Sequence, residues 1–133
     1  MAISQTDPRP LFQQIVDELK HMILLGNLNE GERAPSTNEL SMHHSVNPTT
    51  SAKALTLLNT EGLVEKKRGV GMFVTEGARE RIREQRQRQF HDNFVAPLLE
   101  EARLLGLTVD EVITDMKETE STTPRTVAGM KGV

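Results

Sequence analysis

Apolar residues recur at helical spacing from residue 11 to residue 25. Leu11, Ile15, Leu19, Met22 and Ile23 form one stripe, with Phe12 and Val16 beside it. Pro8 and Pro10 punctuate the start and Gly26 suits a left-handed C-terminal cap, so the pattern predicts a helix here. Residues 27–35, with two Asn, Gly31 and Pro35, predict a connecting loop with room for a short strand. Ser36-Thr-Asn-Glu39 is a capping box that opens a short helix to about His43 and buries Leu40. After a turn at His44-Ser45, Val46 packs inward and Asn47-Pro48 opens a second helix. Asn is a favoured N-cap, and Pro in the first turn gives up no needed donor. That helix runs to about Thr60 on an apolar face of Ala54, Leu55 and Leu58, with Gly62 just past its end.

Two helices across a tight turn describe a helix-turn-helix. Leu63-Val64-Glu65-Lys66 and Gly71-Met72-Phe73-Val74 then read as strands, and the Gly-containing link Lys67-Arg68-Gly69-Val70 makes them a hairpin. A hairpin directly after a helix-turn-helix is a wing. From Ala78 the chain turns polar and helical, with Ile82, Phe90, Phe94, Leu98, Ala102 and Leu105 recurring along it. Pro97 predicts a kink or break, and Gly106 a stop. Thr108-Val-Asp-Glu111 is a second capping box, opening a helix to about Lys117 with Val109, Val112, Ile113 and Met116 apolar. The expected fold is mainly α with a small β-hairpin. A winged helix-turn-helix DNA-binding domain at 1–77 is followed by a helical dimerisation and effector tail at 78–118 and a flexible C-terminus at 119–133.

Composition narrows the function. A length of 133 residues suits one domain plus a small appendage. No apolar run is long enough to span a bilayer, and residues 1–7 lack the basic and apolar regions of a secretory signal, so a cytoplasmic protein without a membrane partner is expected. The chain has no Cys, which excludes disulfide scaffolds, thiolate zinc sites and thiol catalysis. Trp and Tyr are absent and Phe number four, so base stacking on aromatic platforms is nearly excluded. The net charge of −3 argues at first against nucleic acid. Residues 1–78 carry seven basic and nine acidic groups, and residues 79–133 carry nine and ten, so neither part is basic. Charge is concentrated only locally, at Lys66-Lys67-Arg68 and in the Arg79–Arg88 run, where five Arg face two Glu. A DNA function must rest on where charge is placed.

The first 75 residues resemble the GntR family of bacterial transcription regulators. The resemblance lies in Pro10-Leu-Phe-Gln-Gln-Ile15, Gly26-Asn-Leu-Asn-Glu-Gly-Glu-Arg-Ala-Pro-Ser36, Asn38-Glu-Leu40, Ala54-Leu-Thr-Leu-Leu58, Glu61-Gly62-Leu63 and Arg68-Gly-Val-Gly-Met-Phe-Val74, in that order. No piece is specific alone; their order and spacing are. The short tail after the wing and the opening Val46-Asn-Pro-Thr-Thr50 are similar to the YtrA-like branch. The resemblance implies DNA binding and an effector, which the sequence does not identify, and a repressor's role is expected. The chain departs from the family at Asn38, at Asn47-Pro48 and at Ala52, where arginine or a Ser/Thr-Arg pair is usual, so the family's base code does not carry over.

The candidate DNA residues follow from groove geometry. The major groove admits one helix, whose N-terminal residues reach base edges. Asn47, Pro48, Thr49, Thr50 and Lys53 hold those positions, Asn47 with a competing duty as cap. Ser36, Thr37 and Asn38 open the preceding helix, where free N–H groups favour phosphate. Lys67 and Arg68, with Gly69 and Gly71, form the wing tip. So few cations per protomer bind weakly, and a homodimer on a palindromic operator in double-stranded DNA is expected. Phe90, Phe94, Leu98, Val112, Ile113 and Met116 supply its apolar interface, the alternative being that this stripe folds back on its own chain. The Arg79–Arg88 run reads as a solvated helix face with pairs such as Glu84–Arg88, phosphate contact being the alternative.

The search for catalytic chemistry finds no Ser-His-Asp spacing, P-loop or paired inward carboxylates. Gly69-Val-Gly71 is a lone G-x-G that a strand turn explains. His43 and His44 are adjacent and so are expected to point to different sides of a helix, unable to chelate together. His21 and His91 are isolated. No enzyme, cofactor or metal is expected. The rival reading is a winged-helix protein-interaction module that leaves DNA untouched, favoured by the acidic balance and the missing arginines.

Overall fold

The computed structural model describes residues 9–122. They form two compact units that divide between Arg83 and Glu84. The first holds α1 (Leu11–Leu25), α2 (Thr37–His44), α3 (Pro48–Thr60), β1 (Val64–Lys67), β2 (Gly71–Val74) and the opening of α4 (Ala78–Phe90). The second holds the rest of α4, a π-helical turn at His91–Val95, α5 (Ala96–Leu104) and α6 (Val109–Thr122).

The core of the first unit is aliphatic. Ile15, Val16, Leu19 and Ile23 of α1 pack with Leu40 of α2, with Ala54, Leu55 and Leu58 of α3, and with Val64 and Val74 of the hairpin. α1 ends at Gly26 in the left-handed conformation, where the Asn27 N–H donates back to the Met22 carbonyl at 2.9 Å. α2 opens on the expected capping box. Ser36 Oγ accepts from the Glu39 N–H at 3.1 Å, and Glu39 Oε1 accepts from the Ser36 N–H at 2.8 Å. Ser36→Ala is therefore expected to lower the stability of this unit by about 1 kcal/mol, read as a lower thermal midpoint; an unchanged midpoint would show that the cap contributes nothing. Ser51 of α3 is wholly buried and hydrogen-bonds Ser41 of α2 at 2.9 Å, a polar tie across the helix-turn-helix.

β1 and β2 pair antiparallel with Glu65 opposite Phe73 and Lys67 opposite Gly71. The segment after α1 lies along the free edge of β2. Gly31 N–H donates to the Val74 carbonyl, Val74 N–H to that of Glu32 and Ala34 N–H to that of Met72, which realises the short strand allowed for in this loop as a single bridge, Arg33–Phe73.

Several expectations change. The unit reaches Arg83 and does not close at residue 77, because Ala78 and Ile82 are buried in its core. Two arginines of the polar run fasten this extension. Arg79 Nε donates to the Ile23 carbonyl at 3.0 Å and its Nη2 to Asn29, while Arg81 Nη1 donates to the Gly62 carbonyl at 3.0 Å. Further along the run, Arg83 pairs with Glu80 at 2.6 Å, an exposed ion pair of the kind expected of this face. The break at Pro97 becomes the π turn. Ala96 N–H donates to the His91 carbonyl five residues back, which places Pro97 in the first turn of α5 where its missing N–H matters least. α6 carries its capping box, Thr108 with Glu111, and continues past Lys117 to Thr122, so residues 119–122 are helical; 123–133 lie outside the described residues.

Within the second unit Val112 is buried, as is Ala102 of α5. It belongs to the unit's own packing and not to an outer face, because it points inward on α6 while Ile113 and Met116 stay exposed. His43 and His44 also depart from expectation. Their rings meet edge-on with centroids 4.7 Å apart. The two residues close α2, which ends at the left-handed Ser45, and an edge-to-face ring contact holds their adjacent side chains together.

Candidate nucleic-acid interface

α3 begins where the chain meets Asn47. Its side chain accepts from the Thr49 N–H at 2.7 Å, and Pro48 follows in the first turn. The capping duty is thus met by Asn47 Oδ1, and the amide NH2 keeps its donors. Pro48 and Thr49 are exposed and Thr50 is half-buried. Thr hydroxyls can hydrogen-bond base edges or phosphate, and their methyls can touch a thymine methyl. Ala52, where an arginine is usual in this position, is exposed and offers no hydrogen bond. Lys53 Nζ lies 4.2 Å from the centre of the Phe12 ring, so its charge is held against α1 by a cation–π contact.

The opening of α2 carries Ser36, Thr37 and Asn38. The capping box already uses the Ser36 N–H and Oγ. Hydrogen bonds from the Ser36 backbone and hydroxyl, and then the Arg33 guanidinium, hold the Glu39 carboxyl below its ordinary pKa. A negative charge therefore already sits at this N-terminus, and a phosphate would have to approach through the exposed Asn38 side.

Sequence reasoning missed Arg33. Its Nη2 lies 3.4 Å from Glu39 Oε1, its backbone bridges Phe73, and its side-chain carbons run over Gly71, where an added Cβ would sit 3.4 Å from Cδ. Arg33 thereby links the opening of α2 to the wing along β2, from Phe73 to Gly71. No local pattern signals this, because the contact depends on the edge pairing with β2. Gly71 leaves room for that passage, and Gly69, at φ 76°, permits the turn closed by the Val70 N–H on the Lys67 carbonyl. Arg68 is exposed at the tip beside Gly69. Lys67 folds back over Phe73, 4.6 Å from the ring centre. The structure thus brings Gly71 and Glu39, the capping partner of Ser36, to one arginine, leaves Thr37 and Asn38 beside that cap, and places Asn47, Pro48, Thr49 and Thr50 together at the opening of α3.

Comparison with known proteins decides what this arrangement is. Residues 11–74 match the gntR family of bacterial regulatory proteins. Over 117 residues the chain is 30% identical to the HTH-type transcriptional repressor YtrA of Bacillus subtilis, covering 86% of this chain and 89% of that protein. The chain belongs to the GntR family. Its fold is shared with a GntR family transcriptional regulator from Listeria monocytogenes at a TM-score of 0.67, with 27% identity over 84% of this chain and 96% of that one. The DNA-binding domain of AraR, solved in complex with operator ORX1, is 26% identical over 56% of this chain and 93% of its own, at a TM-score of 0.51. The mainly helical GntR fold with a two-stranded wing, expected from the spacing of motifs, is the fold observed. The GntR match ends at Val74, yet the packing of Ala78 and Ile82 carries the compact unit beyond it. No helix among the described residues is long and apolar enough to cross a membrane.

Proposed function

We infer that this GntR family chain is a homodimeric transcription repressor of the cytoplasm, which binds a palindromic operator in duplex DNA and acts without catalysis. The observation that carries the reading is the exposed first turn of α3, tied to α2 through Ser41–Ser51, in a chain whose AraR relative was solved on operator DNA. Asn47, Pro48, Thr49 and Thr50 enter the major groove; Arg68, Gly69 and Gly71, with Lys67 swung off its ring, meet the backbone at the wing. Phosphate is taken at the opening of α2 from the exposed Asn38 side, with Thr37 beside it and Ser36 holding the cap, and Lys53 leaves Phe12 to reach DNA. Phe90, Phe94, Leu98, Ile113 and Met116, all exposed in the single chain, form the two-fold interface. A small-molecule effector releases the operator by binding the DNA-free state more tightly than the bound one.

The test is fluorescence anisotropy with the duplex upstream of the protein's own gene, against a scrambled duplex, at two salt concentrations. Specific binding at two protomers per site, weakened by salt, is expected. Equal weak binding to both duplexes overturns the reading and brings forward the protein-interaction module, which the withdrawn Lys53 and Lys67 would suit. Thr49→Ala with Thr50→Ala is expected to weaken operator binding by roughly tenfold through lost hydrogen bonds, with thermal stability unchanged. Wild-type affinity in the folded double variant removes those residues from the interface.

A further inference from the structure

A cluster unused by DNA binding lies at the other end of α2. Glu18 of α1 and His43 and His44 at the close of α2 each offer a ligand atom, and these atoms all lie within 4.8 Å of one another. Glu18 and His44 are largely withdrawn from solvent, with side chains 14% and 5% exposed. Glu18 Oε1 is buried and accepts no hydrogen bond among the described residues; His44 Nε2 is 3.9 Å away, too far to donate to it. A buried carboxylate oxygen without a donor is costly, and a cation relieves it. His43 is exposed, its ring edge-on to that of His44.

We propose that Glu18, His43 and His44 bind one divalent transition-metal ion of the zinc class, with water completing the shell. Two imidazoles and one carboxylate are a ligand set that such ions take, with three protein ligands leaving one position open. Ligand atoms around a tetrahedral ion at metal–ligand distances of about 2.1 Å stand roughly 3.4 Å apart, so the cluster closes by side-chain rotation of little more than 1 Å. Hard cations that prefer six or more oxygens fit poorly, since two of three donors are nitrogen. The ion would join α1 to the last turn of α2, directly before the left-handed Ser45 that leads to the α3 cap. Its consequence for operator affinity rests on the DNA-binding reading above.

The experiment titrates zinc chloride into the full chain by calorimetry and repeats it for Glu18→Gln, His44→Gln and, as a control outside the site, His91→Gln. One zinc per chain is expected, with affinity reduced at least tenfold in the first two variants and unchanged in the control. No binding by wild type at 100 µM zinc, or equal affinity in all four proteins, overturns the site. Cobalt in place of zinc keeps the test independent of variant folding: visible ligand-field bands of a four- or five-coordinate nitrogen–oxygen shell on wild type support the site, and only the spectrum of hexaaqua cobalt overturns it. Anisotropy on operator DNA with and without zinc then separates the two readings. A zinc-dependent change in affinity that Glu18→Gln abolishes supports regulation through this joint. Zinc binding with unchanged operator affinity overturns the regulatory consequence and leaves the site standing, and failure of operator binding with zinc still bound strikes the DNA reading alone.

Discussion

Ile82→Ala is expected to destabilise the winged-helix unit by roughly 2–5 kcal/mol, the range for truncating a fully buried large aliphatic side chain. Ile82 is completely buried with Ala78 in the core, although both follow the wing and lie on the polar helix α4. The site cannot collapse easily, because Arg79 and Arg81 fix the start of α4 to the Ile23 and Gly62 carbonyls. Chemical denaturation of the full chain, followed by far-ultraviolet circular dichroism, measures the loss. A change below about 1 kcal/mol would mean that α4 merely rests against the wing domain and that the unit closes near residue 77. An exposed neighbour on the same helix, Arg86→Ala, should move stability by no more than about 0.5 kcal/mol and gives the baseline.

That extension marks the limit of what the sequence discloses. Ser36 with Glu39, Asn47 with Pro48, and Thr108 with Glu111 are legible because a cap is settled within four residues and needs no partner from elsewhere. The helix-turn-helix and the hairpin are legible for the same reason, as local period and turn chemistry agree. The burial of Ile82 in the winged-helix core is not, since the apolar series it opens reads as part of the tail and does not say which surface covers its first member. Pro97 announces an interruption, but its form as a π turn depends on the carbonyl that Ala96 selects. In the site, exposure of the α3 opening follows from its capping pattern. The withdrawal of Lys53 onto Phe12 and Lys67 onto Phe73, the passage of Arg33 over Gly71, and the meeting of His43, His44 and Glu18 are all tertiary contacts, which a linear pattern does not carry.

Leu98→Asp is expected to convert the protein from a dimer into a folded monomer and to lower operator affinity at least a hundredfold. Phe90 and Phe94 are 57% and 64% exposed with ring centroids 5.8 Å apart, and Leu98 is exposed one turn further along. Apolar side chains gathered this way on a small unit suit the two-fold interface proposed above, and a second copy of the chain fits a two-fold operator. A carboxylate placed there would have to be buried without a partner in the dimer, which opposes association strongly, while in the monomer it stays in water. The loss on DNA is larger than any single contact could produce. Two linked reading heads meet the second half-site at an effective concentration in the millimolar range, and a monomer forfeits that advantage. Sedimentation velocity at micromolar protein reads the first effect and anisotropy on the operator the second, with circular dichroism confirming the fold. A wild type that sediments as a monomer, or a Leu98→Asp variant that remains dimeric, removes this face as the interface. A monomeric variant with wild-type operator affinity would instead show that each winged-helix unit reads DNA alone, and the few cationic side chains of one protomer would then have to account for all of the binding.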